Sequence, residues 1–160
     1  MAQTIDLVTL LLSMNTKLFQ NALAGLTEEQ AQQRISDHNN PAIWIAAHTT
    51  SARYTMLQLL GKNVTDPYAA LFEQFRAYDP KLKYPTLAET QVEWTTVSAQ
   101  LTAAMAEVSE ETLLADAPFK NPSGDFSIAG TLAFFTHHEC YGLGQMAFLK
   151  KYFTKEPMKY

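Results

Sequence analysis

His137-His138-Glu139-Cys140-Tyr141-Gly142-Leu143-Gly144-Gln145 sets an imidazole pair and two glycines inside a long amphipathic segment. Around it Ile128, Phe135, His138, Gly142, Gln145 and Leu149 recur at spacings of three, four or seven, so they line one face of a helix. Ser127 is a good cap for that helix, which is predicted to reach about Phe153. A second stripe, Ala42, Ile45, His48 and Ala52, belongs to a helix launched by Asn40 as cap and Pro41 in the first helical position and running to Gly61. Trp44 lies one turn before His48. The two stripes predict that His48 meets His138 in the core, where an imidazole is costly unless hydrogen-bonded or coordinated.

Working outward, Ile5, Val8, Leu11, Leu12, Asn15, Leu18, Phe19 and Ala22 predict a helix over about 4–24, stopped by Gly25. Thr27 with Gln30 three residues on is a capping-box signature for a short helix to about Ile35. Residues 62–85 hold Pro67, Pro80 and Pro85 around an aromatic-rich piece and read as a crossover with one short helix. Leu87, Val92, Trp94, Val97, Leu101, Ala104, Met105 and Val108 outline a third long helix, and Ser109-Glu110-Glu111 restarts a short one to about Ala115. The loop from Pro118 to Asp125 leads into the final helix. Four long helices without alternating strand segments predict an all-α fold. The architecture expected is a four-helix bundle with a long connection between the second and third long helices, and residues 1–160 as a single domain. The connection from Lys62 to Pro85 is the expected lid or dimer surface.

Composition narrows the function classes. At 160 residues the chain is about one domain's length and able to bury roughly 70% of its unfolded surface. Apolar residues make up 47% and charged residues 18%, the profile of a chain that folds unaided. A net charge of −4, with no basic cluster beyond Lys150-Lys151, argues against a nucleic-acid partner. No apolar stretch approaches the roughly 20 residues a bilayer requires, so no membrane partner is expected. The segment Met1 to Gln20 lacks a basic leader and a small-residue cleavage site. Cys140 is the lone cysteine and pairs with nothing in the chain, so the cytoplasm is the expected location.

Asn40-Pro41-Ala42-Ile43-Trp44-Ile45-Ala46-Ala47-His48, followed on the last helix by His138-Glu139-Cys140-Tyr141-Gly142-Leu143-Gly144-Gln145, closely resembles the DinB/YfiT-like family. In that family an aromatic residue precedes a histidine by four, and the second motif reads His-Glu-x-Tyr-His-x-Gly-Gln. The resemblance covers nearly the whole chain. It implies a four-helix bundle, often a homodimer, holding a divalent ion such as zinc or nickel through three histidines. Carried onto this chain, the metal ligands are His48, His138 and the residue at 142, which here is Gly142. Three protein ligands plus water is the usual catalytic arrangement, and two neutral ligands hold an ion much less tightly. Three readings follow. The first is a member with a degenerate site, which binds a small molecule or is inactive. The second is an enzyme of the metal-dependent thiol-transferase or hydrolase type, with His48 and His138 as ligands and the ion lowering a thiol's pKa. The third is a structural or interaction protein whose histidines hydrogen-bond in the core.

The neighbours of the motif carry bland expectations. His137 lies about 100° around the helix from His138, on the stripe of Phe134, Tyr141 and Phe148, and is a weak substitute ligand. Glu139 reads as a carboxylate behind the site or in solvent, Tyr141 as a packed aromatic, and Cys140 as a small apolar group. His38 reads as a loop histidine, and Glu73 and Glu93 as surface residues; no catalytic acid or base is nominated. Gly142 is expected to leave a void unless a water, ligand or neighbouring side chain fills it, and Gly144 to permit close helix approach.

Overall fold

A computed structural model describes the backbone of residues 2–160 and the side chains of residues 5–160. Four long helices carry the fold: α1 (Ala2–Leu23), α3 (Ala42–Leu59), α5 (Leu87–Glu107) and α7 (Ile128–Thr154). Short helices α2 (Glu28–Gln32), α4 (Ala69–Phe72) and α6 (Glu110–Leu114) sit in the connections. The only pairing of extended backbone among the described residues is an isolated bridge between Asp116 and Ser127. The all-α bundle expected from periodicity is therefore the observed fold.

The caps follow local chemistry. Thr27 and Thr86 each close a capping box, with Gln30 and Glu89 reaching back to the cap. Ser127 accepts from the Gly130 amide to open α7. At the start of α3 the expectation fails: the cap is Pro41, whose ψ of 155° is extended, and no side chain bonds the free amides. The Asn40 carbonyl instead accepts from the Asn39 amide group. Gly61 closes α3 with a φ of +75°, a conformation that spares only glycine the Cβ clash.

Each long helix packs on two others, α1 and α3 each lying against both α5 and α7. Lys150 Nζ donates to the Asn21 and Ala24 carbonyls, and Glu139 meets Asn15, so α1 and α7 run in the same direction. Apolar residues gather toward the two ends. Val8, Leu12, Leu57, Leu101 and Leu132 pack in one cluster, and Phe19, Ile43, Trp94, Leu143 and Met146 in the other. This pairing makes α3 and α5 neighbours pointing the same way, which is why the chain needs the long crossover of residues 60–86 to return to the other end.

Between the two apolar clusters lies a buried polar layer. Arg53 Nε donates to Glu139 Oε1 at 2.7 Å and Nη2 to Oε2 at 3.0 Å, a two-point pair with side chains 1% and 0% exposed. The remaining guanidinium donors reach Thr16 Oγ1, Ser98 Oγ and the Leu12 carbonyl, while Asn15 Nδ2 donates to Glu139 Oε2. Trp94 stacks its ring 3.7 Å from the guanidinium carbon and donates to the Thr16 carbonyl. All four long helices meet here. Glu139, expected behind the histidine site or in solvent, is instead the buried partner of Arg53, because the two-point geometry and Asn15 satisfy its oxygens away from water.

Breaking one half of such a pair strands a buried charge. Glu139→Gln is expected to lower unfolding free energy by about 3–5 kcal/mol in urea melts. The double variant Arg53→Met/Glu139→Leu is expected to lose less than the sum of its single changes.

Candidate functional site

α3 is buried along nearly its whole length, because it faces α5 and α7 on two sides and Phe72 of the crossover on a third. Its half-buried positions Trp44 and His48, one turn apart, lie on that third side. There the Trp44 and His48 rings stack at 4.9 Å with 23° between planes. Phe72, from the crossover helix α4, stands edge-on to both, 4.9 Å from His48 and 5.5 Å from Trp44. From α7 the His138 ring lies 4.9 Å from that of His48, and Phe134 lies 6.4 Å from His138. The expected meeting of His48 and His138 is thus observed, at the half-buried edge of the bundle rather than in its centre.

The pair faces through Nε2, with 3.2 Å between the two nitrogens. One ring donates and the other accepts, so at least one imidazole is neutral. Burial, and then the neighbouring His138, push His48 down to about 4. His138 is also lowered, first by burial and then by His137, against an opposing pull from Glu139. Three nitrogens of the cluster are buried without a partner among the described residues: Trp44 Nε1, His48 Nδ1 and His138 Nδ1. Phe72 has no counterpart in the ligand motifs. The aromatic-rich stretch around it was the available signal.

Position 142 is closed over by α3. A Cβ on Gly142 would stand 3.0 Å from Thr49 Oγ1 and 3.4 Å from Ile45 Cγ2, so α3 closes onto the glycine instead of leaving a void. At Gly144 a Cβ would meet nothing within 4 Å, which corrects the expectation of close helix approach there. Gly144 lies on the solvent side of the helix, where Tyr141 and Phe148 are 67% and 65% exposed. His137 is exposed as well. Tyr141 is therefore no packed aromatic. Cys140, expected inside, is also exposed, its sulfur beside Asn15. His38 and Glu73 are exposed, as expected, whereas Glu93 is half-buried and accepts from the Tyr54 hydroxyl.

Tested against the divalent ion that the motif resemblance implies, the donor set is incomplete. Two Nε2 atoms at 3.2 Å match neighbouring ligands on a tetrahedral ion, for which bonds of about 2.0–2.1 Å give about 3.3–3.4 Å. The match ends there. A ligating imidazole ordinarily donates its other N–H to a carboxylate or carbonyl, and neither Nδ1 does so. Glu139, the nearest carboxylate in sequence, is committed to Arg53. Among the described residues no group of three or more His, Cys, Asp or Glu side chains stands ready for a metal ion. The residues present do not fit a resident three-histidine centre.

An all-α bundle with an aromatic-flanked histidine on its second long helix and a histidine of the last helix facing it defines the class of protein. The model of the DinB superfamily matches residues 11–146, and the chain belongs to that family. No curated protein matches the sequence. No described helix is long and apolar enough to cross a membrane.

Two outcomes test this geometry. His48 has a folded-state pKa near 4 against an ordinary 6.5, so the unfolded chain takes up the proton first. Stability is full above about pH 6.5 and is lost as pH falls toward 4, by up to about 3 kcal/mol; His48→Leu is expected to flatten this limb of the melting-temperature profile. Gly144→Ala, in open space, is expected to raise stability by about 0.5–1 kcal/mol in chemical denaturation. Gly142→Ala is expected to show no such gain until Thr49→Ala removes the hydroxyl it meets.

Proposed function

We propose that this DinB-superfamily chain is a small-molecule-binding member whose ancestral three-histidine site is degenerate. On this reading His48 and His138 remain as polar groups of the site, and Gly142 marks the ligand that is gone. The observation that supports it is the 3.0 Å approach of Thr49 Oγ1 to the Cβ position of Gly142, which leaves little room for a larger side chain there. The unpartnered nitrogens of Trp44, His48 and His138 support binding over a purely structural role, since a core built only for packing satisfies its buried polar atoms.

The proposal extends to location and assembly. Residues 1–160 form a single cytoplasmic domain that pairs as a homodimer. Leu7, Leu11 and Met14 on α1, with Tyr141 and Phe148 on the adjacent α7, are the exposed apolar residues that a second copy would cover. Leu11→Glu/Phe148→Glu is expected to shift sedimentation equilibrium from dimer to monomer; a parent that sediments as a monomer ends this part of the reading.

A second reading has one observation in its favour. The 3.2 Å separation of the Nε2 atoms suits a weakly held zinc or nickel ion, which would serve a metal-dependent thiol transferase or hydrolase. Elemental analysis of untagged protein after incubation with Zn²⁺ or Ni²⁺ separates the two. The parent is expected to carry well under one ion per chain, and Gly142→His/Thr49→Ala to approach one. A stoichiometric ion in the parent, lost in His48→Ala, replaces the first reading with the second. In a thermal-shift screen of small compounds, stabilising hits are expected that disappear in His48→Leu. A screen without such hits, in a protein that also takes no metal, leaves the histidines structural.

A further inference from the structure

We propose that the ligand of this site is a small planar compound bearing a hydrogen-bond-acceptor oxygen, and that it binds by taking the place of the Phe72 ring. The inference rests on the binding reading above and adds the chemistry of the ligand and the route by which it enters.

The acceptor requirement comes from proton bookkeeping at the three unpartnered nitrogens. An indole N–H is a donor only, and Trp44 Nε1 has no acceptor among the described residues. When the two neutral imidazoles share one proton between their Nε2 atoms, the accepting ring carries its own proton on Nδ1. That Nδ1 is also without an acceptor. The cluster thus holds two unsatisfied donors against one bare acceptor nitrogen. Trp94 marks the contrast, since its buried Nε1 donates to the Thr16 carbonyl at 3.1 Å. Among the described residues, the buried side-chain nitrogens and oxygens without a partner all fall in this one aromatic cluster.

The entry route comes from the segment that carries Phe72. Helix α4 is only four residues long, has no side-chain cap, and none of its residues is fully buried. Immediately after it Gln74 and Phe75 both hold left-handed backbone, with φ of 54° and 58°, although neither is glycine. Phe75 is fully exposed. Few buried contacts and a strained continuation make this stretch of the crossover among the cheapest parts of the fold to displace. Phe72 is nevertheless the ring set edge-on to both Trp44 and His48. A ligand with a ring of similar size exchanges with it ring for ring, and its oxygen accepts from the donors that phenylalanine leaves unmet.

The test uses the full chain and its two tryptophans, whose indole N–H resonances are told apart by Trp44→Phe. Benzamide supplies the ring and the oxygen; benzene supplies the ring alone. Benzamide is expected to move the Trp44 indole proton downfield and saturably while the Trp94 proton stays in place, with benzene binding at least about tenfold more weakly. Phe72→Ala is expected to tighten benzamide several-fold by removing the competing ring. A Trp44 resonance that never moves, equal binding of benzene, or weaker binding in Phe72→Ala overturns the inference. The binding reading is judged separately, because thermal-shift hits that vanish in His48→Leu but carry no acceptor oxygen would uphold it while ending this proposal.

Discussion

The buried pair of Arg53 and Glu139 is the constraint on which the rest of the bundle depends. Neither charge tolerates the interior alone, so Leu12, Asn15, Thr16, Trp94 and Ser98 are drawn into one layer around them. That layer ties each long helix to the others at a fixed height. A slip of α7 along α3 by one turn would strand both charges, whereas the apolar clusters on either side would tolerate repacking. The polar layer therefore sets the register that brings His138 opposite His48.

The same register explains why the histidine site has the form it does. With α7 held by Glu139, Gly142 falls one turn further along the same helix and meets Thr49, one residue beyond His48 on α3. A side chain at 142 would crowd the Thr49 hydroxyl, which would have to give way. The glycine at 142 and the close packing of α3 on α7 are two aspects of one arrangement. Beside it stands an imidazole pair at the half-buried edge of the bundle, with Trp44 stacked on one member and Phe72 edge-on to both Trp44 and His48.

Much of this was legible in the chain. Periodicity located the four long helices, and the Thr27, Thr86 and Ser127 caps lie where side-chain chemistry puts them. The histidine motifs named the pair that meets. Less legible was the surroundings of the last motif. Glu139 follows His138 directly and lies about 100° around the helix, and nothing local reveals that this direction points to an arginine of α3 rather than to water. Tyr141 and Cys140 are exposed against expectation for the same reason, since apolar character does not say which of a helix's faces finds a partner.

By itself the sequence determined the helices, their order, the family and the two histidines, because each of these depends on spacing along the chain or on local capping. Only the tertiary structure decided that Arg53 and Glu139 share one buried layer, that Thr49 closes against Gly142, and that Phe72 stands edge-on to Trp44 and His48. These facts depend on contacts between residues far apart in the chain. Whether a polar side chain is buried and partnered, or a glycine makes a void or a close contact, is settled by the neighbouring helix and not by the residue's own segment.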